Sequence, residues 1–110
     1  MHEYQLRYLP QFQKDLTHHT QYIANKLQNP QAATDLIDAT ANAILERLPD
    51  AEAFEPYHSR KDRRYPYYRI YIKNFIVFYV VIPEGNQKVM EVRRFLVFLT
   101  TDQRIRFLHP

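Results

Sequence analysis

Between Tyr4 and Leu9 bulky and polar residues alternate, the spacing of a strand with one buried face, and Pro10 stops it. From Gln11 the spacing lengthens. Phe12, Leu16, Ile23 and Leu27, with Tyr22 and Ala24 alongside, fall on one side of an α-helix. Asn29-Pro30 ends that helix and opens another, because Asn can cap a helix and Pro suits a first turn, where its missing N–H is not needed. In the second helix Ala33, Leu36, Ile37, Ala43, Ile44 and Leu48 form an apolar stripe, with Asp35, Asp38, Asn42 and Glu46 mostly away from it. The run is rich in alanine and stops at Leu48-Pro49-Asp50. So short a connection predicts an antiparallel helix hairpin.

Residues 50–66 have no clean period and read as a loop. Beyond them the chain turns to strands. Tyr67–Lys73 and Phe75–Ile82 are rich in Tyr, Phe, Ile and Val, and Pro83–Gln87, with the only glycine, is the obvious turn. Lys88–Phe98 predicts a third strand of this meander, and the tail from Thr100 a short helix or an irregular end. The element order is β-α-α-β-β-β. That order predicts an α+β domain spanning residues 1–110, its helix hairpin packed on one face of a small, mainly antiparallel sheet. The other face is then left to bind something. Phe75–Ile82 is apolar on both faces, so Ile76, Phe78 and Val80 need a second cover, from the tail or from a partner.

Composition narrows the function classes. With no cysteine there is neither a disulfide nor a thiolate metal site, and the single glycine argues against a glycine-rich phosphate cradle. No cofactor or metal is expected; His18-His19 has no metal-protease spacing. The longest apolar run has strand length and the first ten residues lack a signal-peptide plan, so the expectation is a cytoplasmic protein with no membrane partner. The net charge of +3 is unevenly placed: residues 1–57 carry −4 and residues 58–110 carry +7. Segregated positive charge suggests an anionic partner such as nucleic acid, or else a solvated basic face.

Three clusters could carry chemistry. His58, Arg60, Lys61, Arg63 and Arg64 crowd the loop, interleaved with Tyr57, Tyr65, Tyr67 and Tyr68; cations grip phosphates and tyrosine rings stack unpaired bases. In the following strand Tyr68, Ile70 and Ile72 alternate with Arg69, Tyr71 and Lys73, so the second set lines the face away from the helices. A charge-blunted edge strand gives the same pattern. Arg93 and Arg94 are adjacent, so only one can join Arg69, and the other must lie at an edge or meet a carboxylate.

At this point the residues resemble the RelE/ParE superfamily of small toxins. The run from Tyr68 to Tyr79 (YRIYIKNFIVFY) is similar to the family's paired strands, often "YR-x-L-x-x-x-N-Y-x-V-F-Y". Val92-Arg93-Arg94-Phe95-Leu96 followed by Asp102 looks like its last strand, and Asn29–Ala33 between two amphipathic helices is typical. The resemblance implies the toxin of a type II toxin–antitoxin, plasmid-stabilisation-like system. It also implies a cognate antitoxin as partner, with operator DNA reached only through the antitoxin complex.

Two activities share the fold: RelE-like members are ribosome-dependent endoribonucleases acting on messenger RNA, and ParE-like members poison DNA gyrase. Carried over residue by residue, Arg69 matches the first basic position of the nuclease pattern. Tyr71 stands where a lysine is common, Ile76 where an arginine is expected, and Leu99-Thr100-Thr101 replaces the basic turn before Asp102. Under the nuclease reading Arg69, Arg93 and Tyr71 are the catalytic candidates, and Arg60, Lys61, Arg63, Arg64 and Lys73 bind RNA. Ile76, Phe78 and Val80 are the expected antitoxin contacts. A gyrase inhibitor, a catalytically impaired member, and a non-toxic RNA- or protein-binding module stay open as alternatives.

Overall fold

A computed structural model describes residues 3–57, 64–101 and 104–107, with backbone alone for 99–101 and 104–107. Strand β1 (Tyr4–Tyr8) leads into helix α1 (Pro10–Gln21), which widens into a π-turn at Tyr22–Lys26. Helix α2 (Pro30–Arg47) follows and tightens into a 3₁₀ turn at Leu48–Asp50. The sheet then adds β2 (Tyr68–Ile72), β3 (Phe75–Glu84), β4 (Gln87–Thr101) and β5 (Arg104–Phe107). The spatial order is β1-β4-β3-β2, with β1 parallel to β4, the other pairs antiparallel, and β5 paired to the end of β4. This is the expected α+β architecture of two helices on a mixed sheet.

Local chemistry explains the boundaries. Pro10 and Pro30 both sit in first helical turns. Asn29 caps α2 by accepting the Ala32 N–H at 3.1 Å, a contact worth about 1 kcal/mol at such positions. Gly85 takes φ +61° in the two-residue turn between Glu84 and Gln87, a conformation that costs glycine nothing. That turn is tighter than Pro83–Gln87: Pro83 belongs to β3 and pairs with Lys88. β2 accompanies β3 only as far as Tyr79, so among the described residues no strand lies on the other side of β3 at Pro83.

The helix-side core joins Phe12, Leu36 and Ile44 to Tyr68, Ile70, Ile72, Val77, Tyr79, Val92 and Phe95. Phe75 stacks on Phe95 with ring centroids 4.8 Å apart, and Phe12 meets Phe95 edge-on. Tyr22 and Leu27, expected on the buried side of the first helix, are exposed instead. For Leu27 the reason is the π-turn before it, whose wider winding takes an α-helical repeat carried past Gln21 out of phase. Ile37 is also exposed, at the border of the α2 stripe. Within the tail, Arg104–Phe107 forms strand β5, where a short helix or an irregular end was expected. No described helix is long and apolar enough to cross a membrane.

Candidate functional site

The face of the sheet away from the helices carries the candidate residues, and its floor is closed. Ile76 and Val80 have no exposed area and Phe78 only 9 %. Tyr67 and Phe98 pack on Ile76, Phe78 and Leu96, while Tyr57 and Tyr67 both meet the Phe78 ring edge-on. Of the residues expected to need a second cover from the tail or a partner, Ile76 and Phe78 are thus covered by the chain's own aromatic rings, and Val80 is buried as well. What reaches solvent is the layer above them, chiefly Tyr71, half exposed.

Arg69 stands opposite Phe78 in the β2–β3 ladder. Its guanidinium lies over Tyr57 at 4.8 Å and near Tyr71 at 5.7 Å from the ring centroids. Among the described residues no acid pairs with it. A cation held by two ring faces keeps its charge available while its position is set. Lys73 occupies the two-residue turn after β2 at φ +53°, exposed and off the strand ladder. Arg64 is exposed beside the Tyr65 ring. Arg60, Lys61 and Arg63 lie outside the described residues, as does Asp102.

The paired arginines are arranged by a β-bulge. Phe78 faces Arg94 and Tyr79 faces Val92, so Arg93 is an extra residue with no partner on β3. Val92 and Phe95 both enter the helix-side core, and the two arginines fit between them. Arg94 turns to the buried carboxylate of Asp15 on α1, with Nε–Oδ2 at 2.7 Å and Nη2–Oδ1 at 3.2 Å. The same carboxylate accepts the Phe95 backbone N–H at 3.0 Å, on the side of β4 that β1 leaves unpaired beyond Tyr8. Burial pushes the Asp15 carboxyl up, but Arg94, the Phe95 N–H and Gln11 outweigh it and hold it below its ordinary value.

Arg93 stays on the other face. Its Nε donates to Glu91 Oε1 at 2.8 Å and its Nη1 reaches the Tyr67 hydroxyl at 3.4 Å. Glu91 is buried and also accepts Arg7 Nε at 2.9 Å, and Arg7 in turn reaches Glu84 at 2.7 Å. Burial raises the Glu91 carboxyl and the two guanidinium groups more than reverse the shift. Both arginines therefore have carboxylate partners, where the strand alternation required only one.

Asp15 and Glu91 are the residues that sequence reasoning missed. Asp15 had a signal: an acid next to Leu16 and three residues after Phe12 sits inside an apolar stripe, where a charge needs a partner. Among the described residues no group of His, Asp and Glu could hold a metal ion.

Comparison with known families decides what this arrangement belongs to. Residues 6–96 match the family model described as "ParE toxin of type II toxin-antitoxin system, parDE". The chain belongs to the ParE toxin family. No curated protein matches it. The match runs from β1 to Leu96 in β4, so it contains the helix hairpin, the bulge, Arg69 and both β4 arginines. As a ParE-family member the chain is the toxin of a type II toxin–antitoxin system, and the family implies a cognate antitoxin.

Proposed function

We propose that this toxin acts without cutting RNA and is directed at DNA gyrase. One observation carries the reading: the Arg93 guanidinium is bound to Glu91 at 2.8 Å, which leaves Arg69 as the uncommitted arginine of β2–β4 on the open face. In-line attack by a ribose hydroxyl needs concentrated positive charge on the phosphate and a proton for the leaving oxygen. Arginine's bidentate grip is not replaced by Ile76 or Thr100 at the family's other basic positions. Glu91 is an ionised carboxylate shared by two guanidinium groups, a poor proton donor. A gyrase poison acts by binding and requires none of these groups.

The nuclease reading stays second, supported by Arg69 between Tyr57 and Tyr71, where an unpaired base could stack beside a gripped phosphate. Two assays run on the same purified chain separate the readings. With gyrase and supercoiled plasmid, the toxin should trap cleaved linear DNA; with programmed ribosomes, primer extension should find the message intact. A message cut only when ribosomes are present, and spared by Arg69→Ala, would reverse the assignment. On either reading the antitoxin meets the open face through its aromatic roof and Arg69, since Ile76 and Phe78 lie beneath that roof and Val80 has no exposed area.

A further inference from the structure

Strand β2 is an edge of the sheet, and its outer side borders a cleft of about 360 Å³ lined by Ala43, Glu46, Arg47, Asp50, Phe54, Ile70 and Tyr71. The volume falls in the range of small-ligand sites. The two-residue turn makes Ile72 and Phe75 the bonded pair of the hairpin. The even residues of β2 therefore bond to β3, while Arg69 and Tyr71 present their backbone N–H and C=O outward. Two contacts agree with that phase: Tyr57 N donates to Tyr67 O at 2.6 Å, and Arg47 Nη1 donates to Arg69 O at 3.1 Å. At Tyr71 the outward backbone groups have no partner among the described residues.

The walls of the cleft favour positive charge. Glu46 and Asp50 make no ion pair among the described residues. Arg47, between them in sequence, donates from Nη1 to Arg69 O and the Tyr79 hydroxyl, and its guanidinium lies 3.5 Å over the Phe54 ring. Helix α2 ends here at Arg47, and a helix C-terminus carries partial negative charge. Phe54 and Tyr71, each about half exposed, offer ring surface on which a flat cation can lie.

We infer that this cleft binds an extended basic segment of a partner protein, which pairs its backbone with the outer edge of β2 at Tyr71. The segment places an arginine side chain between Phe54 and Tyr71, against Glu46 and Asp50. The occupant is set by three features that agree: a free stretch of strand edge takes a strand, exposed rings take a flat cation, and unpaired carboxylates take its charge. The Arg47 and Tyr57 bonds cap the edge at Arg69 and Tyr67, so the added ladder is short and side-chain capture supplies the selectivity. Because Arg47 also holds the Arg69 carbonyl, an occupant is adjacent to the backbone of the candidate site on the open face.

The test uses the full-length chain, ¹⁵N-labelled, titrated with the acetylated and amidated peptide Thr-Val-Arg-Val-Thr and with its counterpart carrying Glu in place of Arg. Amide shifts should move at Tyr71, Glu46, Asp50 and Phe54 with the arginine peptide, and at least tenfold less binding is expected from the glutamate peptide. Glu46→Gln/Asp50→Asn, both exposed positions, should keep the native spectrum and lose binding by a similar factor. Equal binding of the two peptides, unchanged binding by the double variant, or shifts confined to the Arg69 face would each overturn the inference. None of these outcomes depends on which macromolecule the toxin poisons, so the proposal fails separately from the gyrase reading.

Discussion

The two faces of the sheet share strands β2, β3 and β4 but are closed by different means. Toward the helices, alternate residues (Val77, Tyr79, Val92, Phe95) meet Phe12, Leu36 and Ile44 in a dry apolar layer. On the opposite face the apolar residues Ile76, Phe78 and Leu96 lie beneath tyrosine rings, with Arg69 and the Glu91–Arg93 pair beside them. The first face has polar tips in it, and the largest is tied down: Tyr79 donates its hydroxyl to Ala51 O at 2.8 Å. The second keeps a cation and ring edges within reach of solvent. Stability and recognition are thereby separated by the thickness of one strand, and a substitution should move one much more than the other.

The largest effect is expected at Phe95, which has no exposed area, stacks on Phe75 and meets Phe12 edge-on. Phe95→Ala should lower unfolding free energy by about 3–5 kcal/mol, measured by urea denaturation. A loss under about 1 kcal/mol would mean that the helix face is not the main source of stability. Next comes Asp15→Ala, which strands the Arg94 guanidinium and orphans the Phe95 N–H; about 3 kcal/mol is expected. Asp15→Ala combined with Arg94→Met should recover part of that loss, and a double variant no better than the single one argues against the pair as its origin.

On the other face Arg69→Ala should change stability by less than about 0.5 kcal/mol and yet reduce growth arrest, because no described acid or backbone group depends on its guanidinium. Loss of fold in this variant, seen by circular dichroism, would collapse the separation of the two faces. Thr40→Val tests the helix side with the opposite sign. The Thr40 hydroxyl is buried without a protein partner, so an isosteric apolar replacement should leave stability unchanged or raise it by about 1 kcal/mol. A clear destabilisation there would point to an unseen hydrogen bond.

Acid should loosen both faces in sequence. His19, half-buried against Phe75 and Phe95, has its value lowered from 6.5 by burial and by His18, against the pull of Asp15. A lowered value favours the neutral ring in the fold, so its contribution is complete above about pH 6.5 and is lost as pH falls. Asp15 and Glu91, also held below their ordinary values, lose theirs only below about pH 4. Thermal melts from pH 8 to 3 should show two successive declines. His19→Phe should remove the first and leave the second, and a first decline that persists in this variant assigns it elsewhere.

Much of this molecule was readable from spacing alone. Alternation in Tyr68–Ile72 correctly separated Tyr68, Ile70 and Ile72, which entered the helix-side core, from Arg69 and Tyr71, which did not. Asn29-Pro30 marked the hairpin between the helices, and the element order with the match over residues 6–96 agreed on the family. These features are local: a capping side chain, a fixed proline φ and a two-residue period act within a few residues of themselves. The candidate site was less legible. A β-bulge exists only relative to a partner strand, so no run of residues in β4 could announce that Arg93 and Arg94 would lie together between Val92 and Phe95. Their partners, Glu91 across the bulge and Asp15 from a helix some eighty positions earlier, were chosen by packing. The same holds for the floor of the open face: the apolar pattern of β3 required a second cover, but only the folded chain brought Tyr57 and Tyr67 over Phe78. Sequence determined which elements form and which side of each seeks the core; tertiary contact decided which charges meet, because pairing energy depends on distances that the order of residues does not contain.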